Sequence, residues 1–114
     1  MGLYLMEKKN YNKAIYFFSK VIEKKPDFAE AWNKRATAYF IIGNFEKSII
    51  DINYTLLLEP RHFGALDGLA LIFLNLKQYQ QALEIYKKIL VLLPYSQKIR
   101  DKIYFIQNYK LENI

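Results

Sequence analysis

The 114-residue chain has no cysteine, which removes a disulfide framework, a thiolate metal site and a thiol nucleophile together. That absence fits a reducing compartment. Histidine occurs once, as His62, so no histidine dyad or His-based metal set exists. No Gly-rich phosphate loop or metal-ligand spacing is present either. Only four glycines and three prolines are spread along the chain, and they punctuate it without forming runs, which argues against disorder. The longest apolar runs, Leu69–Leu74 and Ile89–Leu93, fall far short of the ~18 residues of a membrane span. The apolar stretch before Glu7 is too short for a signal peptide, and Met6 stands where a myristoylation motif wants Ser or Thr. These absences predict a cytoplasmic protein without a cofactor, a metal or an enzymatic activity.

What is present is apolar and periodic. Hydrophobic residues make up 53% of the chain, enough to build a core. The stretch Ala29–Pro60 reads as two helices hinged at Gly43-Asn44, and its pattern recurs on both sides. Pro26, Pro60 and Pro94 stand 34 residues apart. Tyr11, Phe45 and Tyr79 keep that step, as do Ala14, Ser48 and Ala82, and Phe18, Ile52 and Tyr86. Four registers locked to one period define a repeat protein, in which each unit packs only on its neighbours.

Trp32, Ala36, Tyr39, Phe45, Ser48, Ile52 and Pro60 resemble the tetratricopeptide repeat (TPR), a 34-residue helix–turn–helix unit. The next unit offers Leu66, Leu69, Ala70, Phe73, Tyr79, Ala82, Tyr86 and Pro94 at matching places. One period earlier stand Gly2, Leu5, Tyr11, Ala14, Phe18 and Pro26. The resemblance implies an all-α fold, a right-handed α-α superhelix of about three units plus a C-terminal capping helix. The units divide as 1–28 (truncated), 29–62, 63–96 and the cap 97–114, within a single domain. Residues 1–8 read as the rump of a first helix. A start in mid-helix leaves the next inner face uncovered, which points to a fragment of a longer array.

Helices are expected over Tyr11–Lys25, Ala29–Ile42, Phe63–Leu76, Tyr79–Leu93 and Gln97–Leu111, with another following Phe45. Asn10 or Asn12 and then Asp27 are candidate N-caps. Ala14, Ala36, Ala70 and Ala82 must be small because paired helices cross closely there. The hinge at Lys77-Gln78 lacks glycine, so that turn is expected to be tighter or strained. Gly64 and Gly68 weaken the start of their helix and leave its inner face bare, for a ligand, for neighbouring backbone or through simple tolerance. Arg35 and Asp51 occupy places that are apolar in the other units, Met1 and Leu69 for the first, Phe17 and Ile85 for the second. The joint switch to opposite charges predicts that they pair across the helix contact. The closing helix presents Ile99, Ile103 and Ile106 inward, with Arg100, Lys102, Asn108 and Lys110 wetted.

Function must then lie on the surface. His62, on an inter-unit turn, reads as a solvated or capping residue, and Glu46, Asp51 and Glu59 as solvent or pairing groups. In the family that the chain resembles, the first helix of each unit lines a concave groove. That implies a partner-binding groove built from Asn33, Lys34, Thr37, Phe40 and Ile41, then Asp67, Leu71, Leu74 and Asn75, then Phe105 and Tyr109. The truncated unit adds Leu3, Met6 and Glu7. Phe40, Ile41, Leu71, Leu74, Phe105 and Tyr109 make this surface apolar with a few polar posts, suited to an amphipathic helix or extended peptide of another protein. The alternative is that the closing helix, or self-association, satisfies it. Chaperone-tail receptors of the family carry a basic and amide clamp. Leu3, Thr37, Asp67 and Leu71 break it, and Lys34 with Lys98 do not restore it.

The net charge of +6 gathers at the two ends, with residues 29–62 balanced. It mildly favours acidic partners or nucleic acid, although an RNA reader would repeat polar and basic residues along the inner face. The reading is a protein-interaction adaptor or scaffold module. The alternatives are RNA binding through the basic surface, or a structural segment of a longer array.

Overall fold

The structure, a computed structural model, describes residues 10–112, and the side chains of residues 10–109. Among the described residues six helices follow in order: α1 (Tyr11–Lys24), α2 (Ala29–Ile41), α3 (Phe45–Leu58), α4 (Phe63–Asn75), α5 (Tyr79–Leu92) and α6 (Gln97–Glu112). No strand occurs among the described residues. The expected helices therefore form, with their starts as expected and their C-terminal ends shifted by one residue. The readings for residues 1–8, including Leu3, Met6 and Glu7, lie outside the described residues.

The period is visible in the turns. Each proline is the second residue of a four-residue turn closed by a backbone hydrogen bond. Phe28 N–H donates to Lys25 C=O, His62 to Glu59, and Ser96 to Leu93, all at 3.1 Å. Proline suits that place because its ring fixes φ. The residue after each turn starts the next helix, and there the capping differs from expectation. Neither Asn10 nor Phe28, the N-cap positions of α1 and α2, makes a side-chain cap, so Asp27 caps nothing. The Ser96 hydroxyl accepts from Ile99 N–H (3.3 Å), and the His62 ring accepts from Ala65 N–H (3.0 Å).

The two intra-unit hinges share one backbone solution. Asn44 N–H reaches back to Tyr39 C=O (2.8 Å) and Gly43 N–H to Phe40 C=O (3.0 Å). At the second hinge Gln78 bonds to Phe73 (2.8 Å) and Lys77 to Leu74 (3.0 Å). This paired pattern closes a helix C-terminus through one left-handed residue. Gly43 supplies it at φ +82°, and Lys77 is forced into it at φ +59°. Asn44 then caps α3 by accepting from Lys47 N–H at 3.2 Å.

The chain divides into two compact units, one ending at Ala65 and the other beginning at Leu66. The division falls just inside α4, next to the expected boundary at 62/63. In the first unit α2 packs against both α1 and α3. Its core holds Ala14, Phe18, Ile22, Ala36, Ala38 and Ile52, and Ile15 and Val21 are half-buried. Ala36 faces the buried Ser48, whose hydroxyl donates to Ala36 C=O at 2.7 Å. A small residue is thus required on both sides of this crossing, and the serine adds a bond to it. In the second unit α5 packs against α6. Ala70, Ile72, Ala82, Leu83, Tyr86, Ile89, Ile99 and Ile106 are its interior. Ile103 is only half-buried, so the expected stripe of α6 narrows to Ile99 and Ile106.

Candidate functional site

The charged pair inferred from the repeat comparison forms inside the first unit. Arg35 Nε donates to Asp51 Oδ2 at 2.7 Å and Nη2 to Oδ1 at 2.8 Å, the two-pronged geometry that only a guanidinium offers a carboxylate. A third arm, Nη1, donates to Ser19 Oγ at 3.1 Å, and Ser19 in turn donates to Ile15 C=O. One arginine on α2 therefore ties α1 to α3. The hydrogen bond to Asp51 raises the Arg35 pKa above its ordinary value despite partial burial. The guanidinium lies 5.1 Å from the Trp32 ring and 5.8 Å from the Tyr39 ring. Trp32 stacks on Tyr54 at 4.1 Å and donates its indole N–H to Pro26 C=O. This cluster ties α1, α2 and α3 together.

The predicted binding residues of α2 are placed as follows. Thr37 is exposed and donates to Asn33 C=O. Lys34 reaches toward Glu30 at 3.9 Å. Phe40 rests its ring on Phe45, centroids 5.4 Å apart, and Ile41 is left exposed. His62 bridges from its capping bond to Glu30, Nε2 to Oε2 at 3.3 Å. Because Nδ1 accepts from Ala65, Nε2 carries the proton and donates. The bare surface expected at Gly64 is occupied by this ring. A Cβ there would meet His62 Cε1 at 3.1 Å and Asn33 Nδ2 at 3.4 Å. Neighbouring side chains, and no empty space, explain this glycine.

In the second unit, the predicted residues Leu71 and Leu74 of α4 come together with Phe105 and Tyr109 of α6. They line two adjoining cavities of about 210 Å³ and 270 Å³ that share Leu74, Phe105 and Ile106. Tyr79, absent from the prediction, walls the first; Leu71, Tyr86, Asp101 and Lys102 complete the second. Phe105 is 68% exposed, Tyr109 40% and Leu71 36%, so α6 contributes walls to the cleft and leaves it open. Residues 101, 105 and 109 lie one turn apart on α6 and share a face. Asn75 is exposed and donates to Leu71 C=O.

Polar groups at this cleft are few. Lys102, expected to be wetted, instead turns inward to Asp67, Nζ to Oδ1 3.0 Å, with its ammonium 5.3 Å from the Tyr86 ring centroid. The half-buried Asp67 draws the lysine in, and its alkyl stem covers apolar surface on the way. The Tyr86 hydroxyl is buried without a hydrogen-bond partner. Desolvation, with the Asp67 carboxylate adding to it, pushes its pKa up to about 12. The hydrogen bond between the Tyr79 and Tyr109 phenols raises the Tyr79 pKa, and their rings meet at 5.5 Å. Asp101 accepts from Gln97 Nε2 at 2.8 Å. Among the described residues no cluster of His, Cys, Asp and Glu is placed to hold a metal, and no helix is long and apolar enough to cross a membrane.

Comparison with known proteins agrees with the repeat. Tetratricopeptide repeat models match residues 17–50 and 65–94, together more than half of the chain, and the protein belongs to the tetratricopeptide repeat family. A TPR repeat-containing protein of Rhizobium etli is 40% identical over 98 residues, covering 86% of this chain and 48% of that protein. Human tetratricopeptide repeat protein 12 is 33% identical over 85 residues, covering 75% of this chain and 12% of its own length. The chain thus spans about half, or less, of the curated relatives that it matches. Among solved structures, the first TPR of Spaghetti (RPAP3), bound to an HSP90 peptide, superposes with a TM-score of 0.86 at 21% identity over 96% of this chain and 89% of that one. The second TPR domain of human RPAP3, in complex with an HSP70 peptide, gives 0.81 at 21% over 93% and 88%. The Sgt2 TPR domain of Aspergillus fumigatus gives 0.84 at 24% over 97% and 75%. At these identities the likeness establishes the fold, an all-α TPR fold.

Proposed function

We propose that this chain is a non-catalytic protein-interaction module, a cytoplasmic adaptor that binds a peptide or helical segment of a partner protein. The observation that carries the proposal is the open cleft of the second unit, where Leu71, Leu74, Phe105 and Tyr109 line apolar cavities beside a packed core. Exposed apolar surface with defined cavities is costly in water and marks an interaction site. The exposed Ile41 beside Phe40 in the first unit offers a further anchor of the same kind. Two structural relatives are complexes with chaperone peptides, which supports a peptide as the class of guest.

The test is affinity capture from lysate of the native cell, with and without nuclease, using the native chain and Phe105→Glu. Phe105 is largely exposed, so the variant should keep its helical circular dichroism. A protein recovered only by the native bait, regardless of nuclease, supports the adaptor reading. Recovery that vanishes with nuclease transfers the function to nucleic acid, and equal recovery by both baits removes the cleft as the site.

A further inference from the structure

We infer that the outer face of α3 pairs with the same face of a second copy of this chain, the two helices running antiparallel, in a weak symmetric dimer. This surface belongs to the first unit, so the inference is independent of the cleft in the second.

Ile50, Tyr54 and Leu57 stand at i, i+4 and i+7 of α3 and therefore share one face. They are 55%, 43% and 73% exposed, an apolar stripe about 10 Å long on the side away from the buried Ser48, Asp51, Ile52 and Thr55. The repeat does not call for this stripe. One period earlier the same places hold Tyr16, Lys20 and Glu23, and one period later Glu84, Lys88 and Val91. Charges that wet this face of the neighbouring helices are replaced on α3 by three large apolar side chains. Trp32 stacks on one face of the Tyr54 ring and holds it at the surface.

Charge selects the occupant. The chain carries +6, so two copies repel each other over most of their surface. Around this stripe the charges cancel: Glu46 and Lys47 begin α3, and Glu59 and Arg61 follow its end. All four are exposed. Glu46, Glu59 and Arg61 make no ion pair among the described residues, and Lys47 lies over the Tyr39 ring at 5.7 Å. The other nearby charges are already matched, Asp51 by Arg35 and Lys20 by Glu23. When Ile50 is laid against Leu57 of an antiparallel copy, Glu46 comes opposite Arg61, and Lys47 comes beside Glu59. A two-fold axis makes each pairing twice. A parallel arrangement would set Glu46 against Glu46 and Arg61 against Arg61, and would align the helix dipoles unfavourably. Three apolar anchors are far fewer than the roughly 20–30 residues a side of a standard interface, so the dimer is a weak one.

The test is sedimentation equilibrium of the full chain from about 1 µM to about 1 mM, the range in which a weak dimer forms. The mass should rise with concentration from 13.6 kDa toward twice that value. Leu57→Glu should weaken association about tenfold or more. Glu46→Arg and Arg61→Glu should each weaken it about three- to tenfold, since two pairs are lost at once. The two combined should restore it, because the exchange re-forms both pairs with reversed sign. Phe105→Glu, which alters the cleft, should leave association unchanged. The substituted side chains are exposed, so each variant is expected to keep its helical circular dichroism. A single mass of 13.6 kDa throughout, or a dimer indifferent to Leu57→Glu, overturns the inference and leaves the cleft reading intact. Failure of the exchanged charges to restore association overturns the antiparallel pairing.

Discussion

Arg35 grips Asp51 through two hydrogen bonds of 2.7 and 2.8 Å, and Asp51 is 1% exposed. At the equivalent places the repeat 63–96 carries Leu69 and Ile85. The fold therefore accepts either a salt bridge or an apolar contact at this crossing, and the repeat 29–62 uses the former. Removing one partner strands a charge. Arg35→Ala should cost about 3–5 kcal/mol, measured by urea denaturation. Arg35→Ala with Asp51→Ala should cost less than Arg35→Ala alone, and Arg35→Leu with Asp51→Ile should come within about 1 kcal/mol of the native chain. Equal losses in the single and double alanine variants would refute the coupling.

Ser19 extends the pair to α1. Its loss leaves Nη1 of Arg35 without its acceptor, so Ser19→Ala should lower stability by about 1 kcal/mol. The loss should disappear when Arg35 is already leucine. A penalty that persists in the Arg35→Leu background would assign it to the Ile15 bond instead.

The two hinges make a matched experiment. Lys77 occupies the left-handed conformation that Gly43 occupies at the other hinge, and a side chain there costs roughly 1–2 kcal/mol. Lys77→Gly should stabilise the chain by about 1 kcal/mol, partly offset by the greater unfolded entropy of glycine. Gly43→Ala should destabilise it by a similar amount, although no atom lies within 4 Å of the new methyl. Thermal melts of both variants decide it, and opposite signs are required.

Tyr86 predicts an alkaline effect. Its folded pKa is raised to about 12 from about 10 in the unfolded chain. The folded state therefore holds its proton where the unfolded chain has begun to release it. The stability tied to the neutral phenol is complete below pH 10 and drains away as pH rises toward 12, by up to about 2 kcal/mol. Tyr86→Phe removes both this dependence and the unpaired hydroxyl, and should raise stability at pH 7 by about 1 kcal/mol. Denaturation curves of the two proteins that stay parallel between pH 9 and 12 would contradict it.

The His62 cap yields a local prediction. Its Nδ1 accepts from Ala65 N–H, so His62→Ala should cost about 1 kcal/mol while His62→Asn, whose amide can replace that acceptor, should cost little. Hydrogen exchange at the Ala65 amide reports the cap directly and should accelerate only in the alanine variant.

The sequence carried the helix limits, the hinges and the small crossing residues, because each follows from a local rule repeated three times. Periodic apolar faces, proline turns and a glycine hinge are legible wherever they recur. Even one tertiary contact was readable, since Arg35 and Asp51 depart together from an otherwise apolar register. Lys102 was misplaced because its partner Asp67 lies on another helix. The Asp27 cap failed because backbone position, and not residue preference alone, decides which side chain can reach a free N–H.

For the cleft, the resemblance to the family named Leu71, Leu74, Phe105 and Tyr109, but their places along a helix could not show whether α6 would bury them. By itself the sequence determined the repeat, the helices and the faces that they offer, since these depend on neighbours within a turn or one period. Only the tertiary structure decided that Tyr79 joins the aromatic wall and that Asp67 captures Lys102. Those outcomes depend on distances between helices, which side-chain volume and the competition among nearby charges settle in three dimensions.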